Sequence, residues 1–297
     1  MAPGDSWAGS RAPAEDPKID GSWQTLPRSD PPYLASLAEM CFHQGRLYVA
    51  AGLMVPDTTP EGDGPWSVAV WQDTAWAPLD FGPQGIGIAL ASDSDRLVLA
   101  MHEGSIHHES HAQAVHLFEN GRWKRLGDEV VGTIEDLVFW RGMPVIGGHF
   151  KLSEQSKSVN LAVWRDGRWQ ALGGGVGGVA VPRVMALADD GGDLWVAGRF
   201  ETAGRQQVTN VGVWDGQVWQ TLLGGVNDKV SAMTVLPEGV AVAGVFTRAG
   251  GVTVPGLALF SGGEWQALPE IPKDSKPSNA KKQMYSIKKY IPHINTE

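Results

Sequence analysis

Five of the chain's eight histidines, His102, His107, His108, His111 and His116, fall within fifteen residues. Neutral imidazoles at that density suit Zn, Ni or Cu, and His107 with His111 would reach one ion across a helical turn. The run His108-Glu109-Ser110-His111 is one residue short of the spacing that sets two histidines and a general base on one helix face, so no base is placed for metal-assisted hydrolysis. The expectation is a polar loop between strands that requires no cofactor, with His107, His108 and His111 as candidate ligands of an adventitious divalent transition metal. His116 replaces a small residue, since Ala69, Ala162, Gly212 and Ala258 hold its place in the other repeats. Its ring needs room, solvent or a bulge.

A second set of candidates shares one repeat position, the end of a strand. His102, His149 and Arg199 stand there, with Gly52 and Val245 in the remaining repeats. Converging around a channel mouth, such groups would suit an anionic or sugar ligand. Elsewhere the chemistry thins out. Gly173 to Gly178 satisfies the glycine spacing of a dinucleotide loop, but Pro182 follows and no helix does, so it reads as a turn between repeats. Asp136, Asp189, Asp190 and Asp193 form no pair that sequence can assign as acid and base. No serine lies in a nucleophile elbow. Cys41, the single cysteine, sits in the apolar run Leu37 to Phe42 and reads as an inert buried thiol.

The elements that must position these residues are written in the recurrence of Trp-x-x-Leu: Trp23 to Leu26, Trp76 to Leu79, Trp123 to Leu126, Trp169 to Leu172, Trp219 to Leu222 and Trp265 to Leu268. The spacing of 46 to 53 residues suits four short strands and their turns. In the last repeat the strands read Val230 to Leu236, Gly239 to Phe246, Gly256 to Phe260 and Trp265 to Leu268. Asn120-Gly121, Asp166-Gly167 and Asp215-Gly216 mark hairpin turns, because Asn, Asp and Gly tolerate positive φ. Four-stranded units thus span 34–79, 86–126, 134–172, 183–222 and 230–268, with an extra strand at 23–26. A lone meander of this kind has two apolar faces, and radial stacking that covers both gives an all-β fold, a β-propeller of four-stranded antiparallel blades.

The run Leu194-Trp-Val-Ala-Gly-Arg-Phe200, then Thr202-Ala203-Gly204, Asn210-Val-Gly-Val-Trp-Asp-Gly216 and Trp219, resembles the bacterial and fungal propeller repeats related to kelch and to the propeller domain of galactose oxidase. The resemblance covers about residues 21 to 268. It departs from kelch at Ala51-Gly52 and Met101-His102, where paired glycines would end strands. Nothing matches the oxidase's copper ligands, so the resemblance implies fold and not oxidation. In such propellers an N-terminal outer strand often completes the last blade, and Trp23 to Leu26 looks like one. Its three partner strands do not follow Leu268. A closed ring of five complete blades ranks first, against a six-blade ring that is incomplete or completed by another chain.

Residues 1–20, rich in Pro, Ala and Asp, read as a disordered arm, and 269–297, with six Lys, no Gly and no Trp, as a solvated tail. Without that tail the net charge of −9 becomes −12, which repels phosphate backbones and argues against nucleic acid. No apolar run approaches the roughly 18 residues of a membrane span. The N-terminus lacks a signal's apolar core, so the chain as written reads as cytoplasmic, or as secreted if a leader was removed. These features favour a non-enzymatic scaffold whose variable loops bind a protein, with a glycan as the weaker alternative. The rivals are a hydrolase or lyase, with or without a metal, at the channel mouth and an assembly protein that joins through an unpaired strand.

Overall fold

The computed structural model describes residues 33–54, 66–72, 75–79, 82–103, 112–153, 157 and 159–268. The expected arm, the extra strand at 23–26 and the lysine-rich tail lie outside them. The described chain is all-β and built from antiparallel four-stranded sheets, as propeller blades are. Five meanders succeed one another. The first runs Tyr33–His43, Arg46–Met54, Trp66–Gln72 and Ala75–Pro78, and the second Gly85–Ser92, Leu97–Glu103, Ala112–Glu119 and Arg122–Arg125. The third is Val130–Trp140, Met143–Lys151, Leu161–Arg165 and Arg168–Ala171. The fourth is Arg183–Asp189, Leu194–Arg199, Val211–Trp214 and Trp219–Thr221, and the fifth Val230–Leu236, Gly239–Gly244, Leu257–Ser261 and Glu264–Ala267. Ala112 and Gln113 also pair with Val131 and Val130, which fuses the second and third meanders into one eight-stranded sheet. No helix among the described residues is long and apolar enough to cross a membrane.

Tight turns hold each meander together. Asn120-Gly121 and Asp166-Gly167 have both residues at positive φ, the two-residue hairpin geometry whose twist matches the strands. Gln44 and Arg141 adopt it too, ahead of Gly45 and Gly142, although neither residue type signals it in the sequence. Beyond every third-to-fourth-strand turn two aromatic rings face each other: Trp71 and Trp76, Phe118 and Trp123, Trp164 and Trp169, Trp214 and Trp219, Phe260 and Trp265. Their centroids lie 5.1–5.4 Å apart, in edge-on or tilted arrangements that suit the ring quadrupoles.

Alternation along the strands gives each meander two apolar faces. In the fifth, Val240 and Val242 pack toward Val211, Val213 and Leu222 of the fourth, whereas Ala241 and Ala243 gather with Leu257 and Leu259 on the far side. In the first, Ala50 and Val68 meet Leu97 and Leu99 of the second, whereas Val49, Ala51 and Ala69 lie on the far side with Trp76. First strands of successive meanders run side by side from the first to the fifth. No comparable packing joins Tyr33–His43 to Val230–Leu236 among the described residues.

The fourth-strand tryptophans are the rivets of this stack. Trp219 is 5% exposed and its indole N–H donates to the Gly173 carbonyl at 2.9 Å, across the junction with the third meander. Trp219→Ala should lower the stability of the chain by about 3–5 kcal/mol. Trp219→Phe, which keeps the ring but loses the N–H, should lower it by about 1–2 kcal/mol. Urea unfolding followed by fluorescence measures both.

Candidate functional site

The second strands end on the side of the stack where the long second-to-third-strand loops and the links between meanders also lie. Antiparallel pairing sets His102 opposite Ile86, His149 opposite Thr133 and Arg199 opposite Arg183, so the three occupy one repeated position. The contacts of these residues lead to three different places. His102 Nε2 lies 3.2 Å from Nε2 of Gln113, whose amide Oε1 accepts from Ile134 N at 2.6 Å. Because an amide nitrogen can only donate, this contact assigns the His102 proton to Nδ1. His149 Nδ1 lies 2.7 Å from the Pro182 carbonyl, so it carries the proton there and leaves Nε2 as an acceptor. Arg199 is exposed.

A further column was not visible in the sequence. Register shifts bulge one residue from each first strand, Ile88, Glu135, Met185 and Ser231 in the second to fifth meanders. All four are half-buried. Bulges re-aim a side chain and are common beside functional sites. Glu135 pairs with Arg183 of the next meander at 2.8 Å. Its neighbour Asp136 accepts from Leu187 N at 2.8 Å, so adjacent carboxylates tie the third meander to the fourth. Nothing in residue type announces a bulge, since the apolar alternation merely shifts by one.

His116 does not bulge. It keeps register with Leu99 on one side and Arg125 on the other, at the place held by Ala69, Ala162, Gly212 and Ala258. Of room, solvent or a bulge, the ring takes room inside the sheet packing, with 7% of the residue exposed and Nδ1 unbonded among the described residues. Its Nε2 lies 3.2 Å from Glu103, which Arg125 engages at 3.0 Å while also reaching Glu129 at 3.3 Å. Burial, with help from the Arg125 charge, pushes the His116 imidazole down to about 4. The Glu103 carboxylate should oppose that shift, but its charge is shared with Arg125.

Two of the long loops are fastened to the links beside them. Thr202–Ala203 pairs with Val176–Gly177, and Gly204 N donates to the Gly175 carbonyl at 2.8 Å. Gly250 N donates likewise to Gly225 at 2.9 Å. Asn160 and Asn210, buried at positive φ, each accept from a phenylalanine N–H and donate to the carbonyl of Val176 or Val226. The glycine run 173–178 is thus a link between meanders, as expected. Its Gly175 has φ +75, and a Cβ there would lie 2.3 Å from the Val159 carbonyl oxygen.

Around these fastenings apolar side chains face solvent: Val181 at 48%, Leu223 at 59%, Val245 at 59% and Val252 at 42%. Leu223 holds φ 49 at the step where Gly127 and Gly173 follow the equivalent leucines. A leucine in left-handed backbone is uncommon, and here it is also exposed. Val245 holds the position of His102, His149 and Arg199, its N–H bonded to the Lys229 carbonyl at 3.1 Å.

Among the described residues no group of three or more His, Cys, Asp or Glu side chains could hold a metal. His107, His108 and His111 lie outside them, as do most residues of the first two long loops. Cys41 is half-buried, and burial raises its thiol to about 11, so little thiolate forms at neutral pH.

No protein-family profile matches the sequence, and no curated protein matches it. Solved structures do. An acylaminoacyl peptidase of Pyrococcus horikoshii aligns at 15% identity and TM-score 0.48 over 84% of this chain, which spans 40% of that one. The β-propeller domain of the Trilobed protease from Pyrococcus furiosus, whose topology is called open velcro, aligns at 12% identity and TM-score 0.39 over 80% of this chain and 86% of its own. The computationally designed Ika4 protein aligns at 19% identity and TM-score 0.36, covering 56% and 89%.

His116 generates a pH dependence. Its folded pKa lies below the ordinary 6.5, so above 6.5 neither state binds the proton and the group contributes nothing. As pH falls through 6.5 toward 4, the unfolded chain takes up a proton that the folded chain refuses, and stability is lost. Urea midpoints at pH 7.5 and pH 5 should differ less in His116→Ala, the residue of the equivalent positions, than in the unmodified chain.

Proposed function

We propose that this chain is a non-enzymatic binding scaffold, a β-propeller of kelch-like blades that engages a protein partner at the end carrying the inter-meander links. The carrying observation is the set Val181, Leu223, Val245 and Val252, exposed around fastened loops, with Leu223 held in a backbone conformation that two of its counterparts, Gly127 and Gly173, adopt as glycine. Exposed aliphatic groups on a rigid frame suit the apolar centre of a protein interface. Sugar rings would call for exposed aromatics instead, so a glycan ranks second. The acidic body disfavours nucleic acid. No cofactor is required in this reading. Blade count belongs to it as well: five meanders succeed one another, and among the described residues the first strands of the first and fifth do not pack as successive ones do, which favours a sixth position over direct closure.

A hydrolase or lyase is the second reading. His149 supports it, because the bond to Pro182 fixes its tautomer and presents Nε2 as a base, on the end that also holds His102, Arg199 and Glu135.

The test is capture from cell extract by the immobilised chain and by Leu223→Asp/Val252→Asp. Both sites are exposed, so the variant should keep its urea midpoint and lose the retained proteins. Unchanged capture would sink the scaffold reading. Ester or peptide turnover that disappears in His149→Ala would put the enzyme in its place.

A further inference from the structure

The start of the first strand carries a charge pattern that changes along the stack. In the fourth meander this position is Arg183, and register sets it directly opposite Arg199 at the end of the second strand. Residues so paired on one face hold their Cβ atoms about 5 Å apart, and like charges there repel. The equivalent pairs in the second and third meanders, Ile86 with His102 and Thr133 with His149, put no two permanent charges together. Lys229 holds the place in the fifth meander. Its carbonyl accepts from Val245 N at 3.1 Å, and the Val230 that follows it faces Gly244 as Val184 faces Gly198. Because first strands of successive meanders run side by side, Arg183 and Lys229 stand at one level on neighbouring strands.

This charge is answered only in part from within. Arg183 reaches back through Nη1 to Glu135, the bulged residue of the preceding meander, at 2.8 Å. The bulged residue at the same place before Lys229 is Met185, which offers no carboxylate. Among the described residues neither the Lys229 ammonium nor the Arg199 guanidinium has an ion-pair or hydrogen-bond partner, and Arg183 makes no side-chain bond beyond the one to Glu135. Arg183 and Lys229 are half-buried, and Arg199 is exposed. Repulsion left in place on a regular sheet marks a position that a ligand completes.

We infer that Arg183, Arg199 and Lys229 bind a doubly charged oxyanion, a phosphate or a dicarboxylate. The charge fits, since with Arg183 offset by Glu135 the three cations leave a surplus of two. The donors fit as well. Arg199 presents the planar fork that takes two oxygens of one ligand, Arg183 keeps N–H groups beyond the one given to Glu135, and Lys229 adds a point charge on a flexible stem. The assignment does not rest on the protein-binding reading, because a small ion needs none of the apolar groups around Leu223.

Calorimetric titration of the full chain with inorganic phosphate, malonate and acetate tests this, at one ionic strength of about 0.1 M so that screening stays constant. Phosphate or malonate should bind with a Kd of about 1 mM or tighter, and acetate at least about tenfold more weakly. Binding of phosphate alone names phosphate as the source of the oxyanion, binding of malonate alone names a dicarboxylate, and either supports the site. Arg199→Gln and Lys229→Gln should each weaken the bound dianion at least about tenfold. Arg122→Gln, on an exposed strand of the second meander, should leave the affinity unchanged. Saturating ligand should raise the urea midpoint of the unmodified chain and not that of Arg199→Gln. No binding of either dianion by about 10 mM, acetate as tight as malonate, or an affinity indifferent to both substitutions would overturn the assignment.

Discussion

A four-stranded antiparallel sheet whose strands alternate small and large apolar residues has two faces to keep from water, and one sheet cannot cover both. Everything else here depends on that constraint. Val240 and Val242 point one way and Ala241 and Ala243 the other, so the fifth meander is stable only between neighbours. Burial is non-directional and would accept several arrangements. Direction comes from Trp169, Trp219 and Trp265, whose rings fill the junction while their N–H groups each select one carbonyl of the preceding unit. Apolar area supplies the cohesion and a few hydrogen bonds supply the order.

The same economy shapes the candidate site. Because the links and the long loops share one end of the stack, the backbone groups left over at strand ends find one another there, through the Asn160 and Asn210 side chains and the pairing of Thr202–Ala203 with Val176–Gly177. Regions that look like free loops in the sequence are thereby held still. What remains at the surface is a narrower set of side chains, more apolar than the loop sequences suggest.

Much of the fold was legible because its signals are local. Asp166-Gly167 can make only a few turns, and Trp-x-x-Leu recurs at a spacing that four strands explain. The site was less legible because its features are relational. His102, His149 and Arg199 do share a position, but register cannot say that one reaches Gln113 and another Pro182. The column Ile88, Glu135, Met185 and Ser231 exists only through bulges, which a residue alternation reads as noise. His116 left room, solvent or a bulge open, because a ring in place of alanine needs space. The sheet instead keeps its register and the imidazole stays neutral, a price set by desolvation that sequence alone does not reveal. Leu223 carries the plainest missed signal, a large side chain where two sibling repeats have glycine.

The directional clip at each junction has a consequence for how such a chain tolerates rearrangement. Successive units from the first to the fifth meet through the same pair of faces, so the packing of a unit does not depend on its place in the series. Gain of a whole unit by duplication would insert one more identical junction. Architecture of this kind evolves by counting, whereas the surface around Leu223 evolves by substitution.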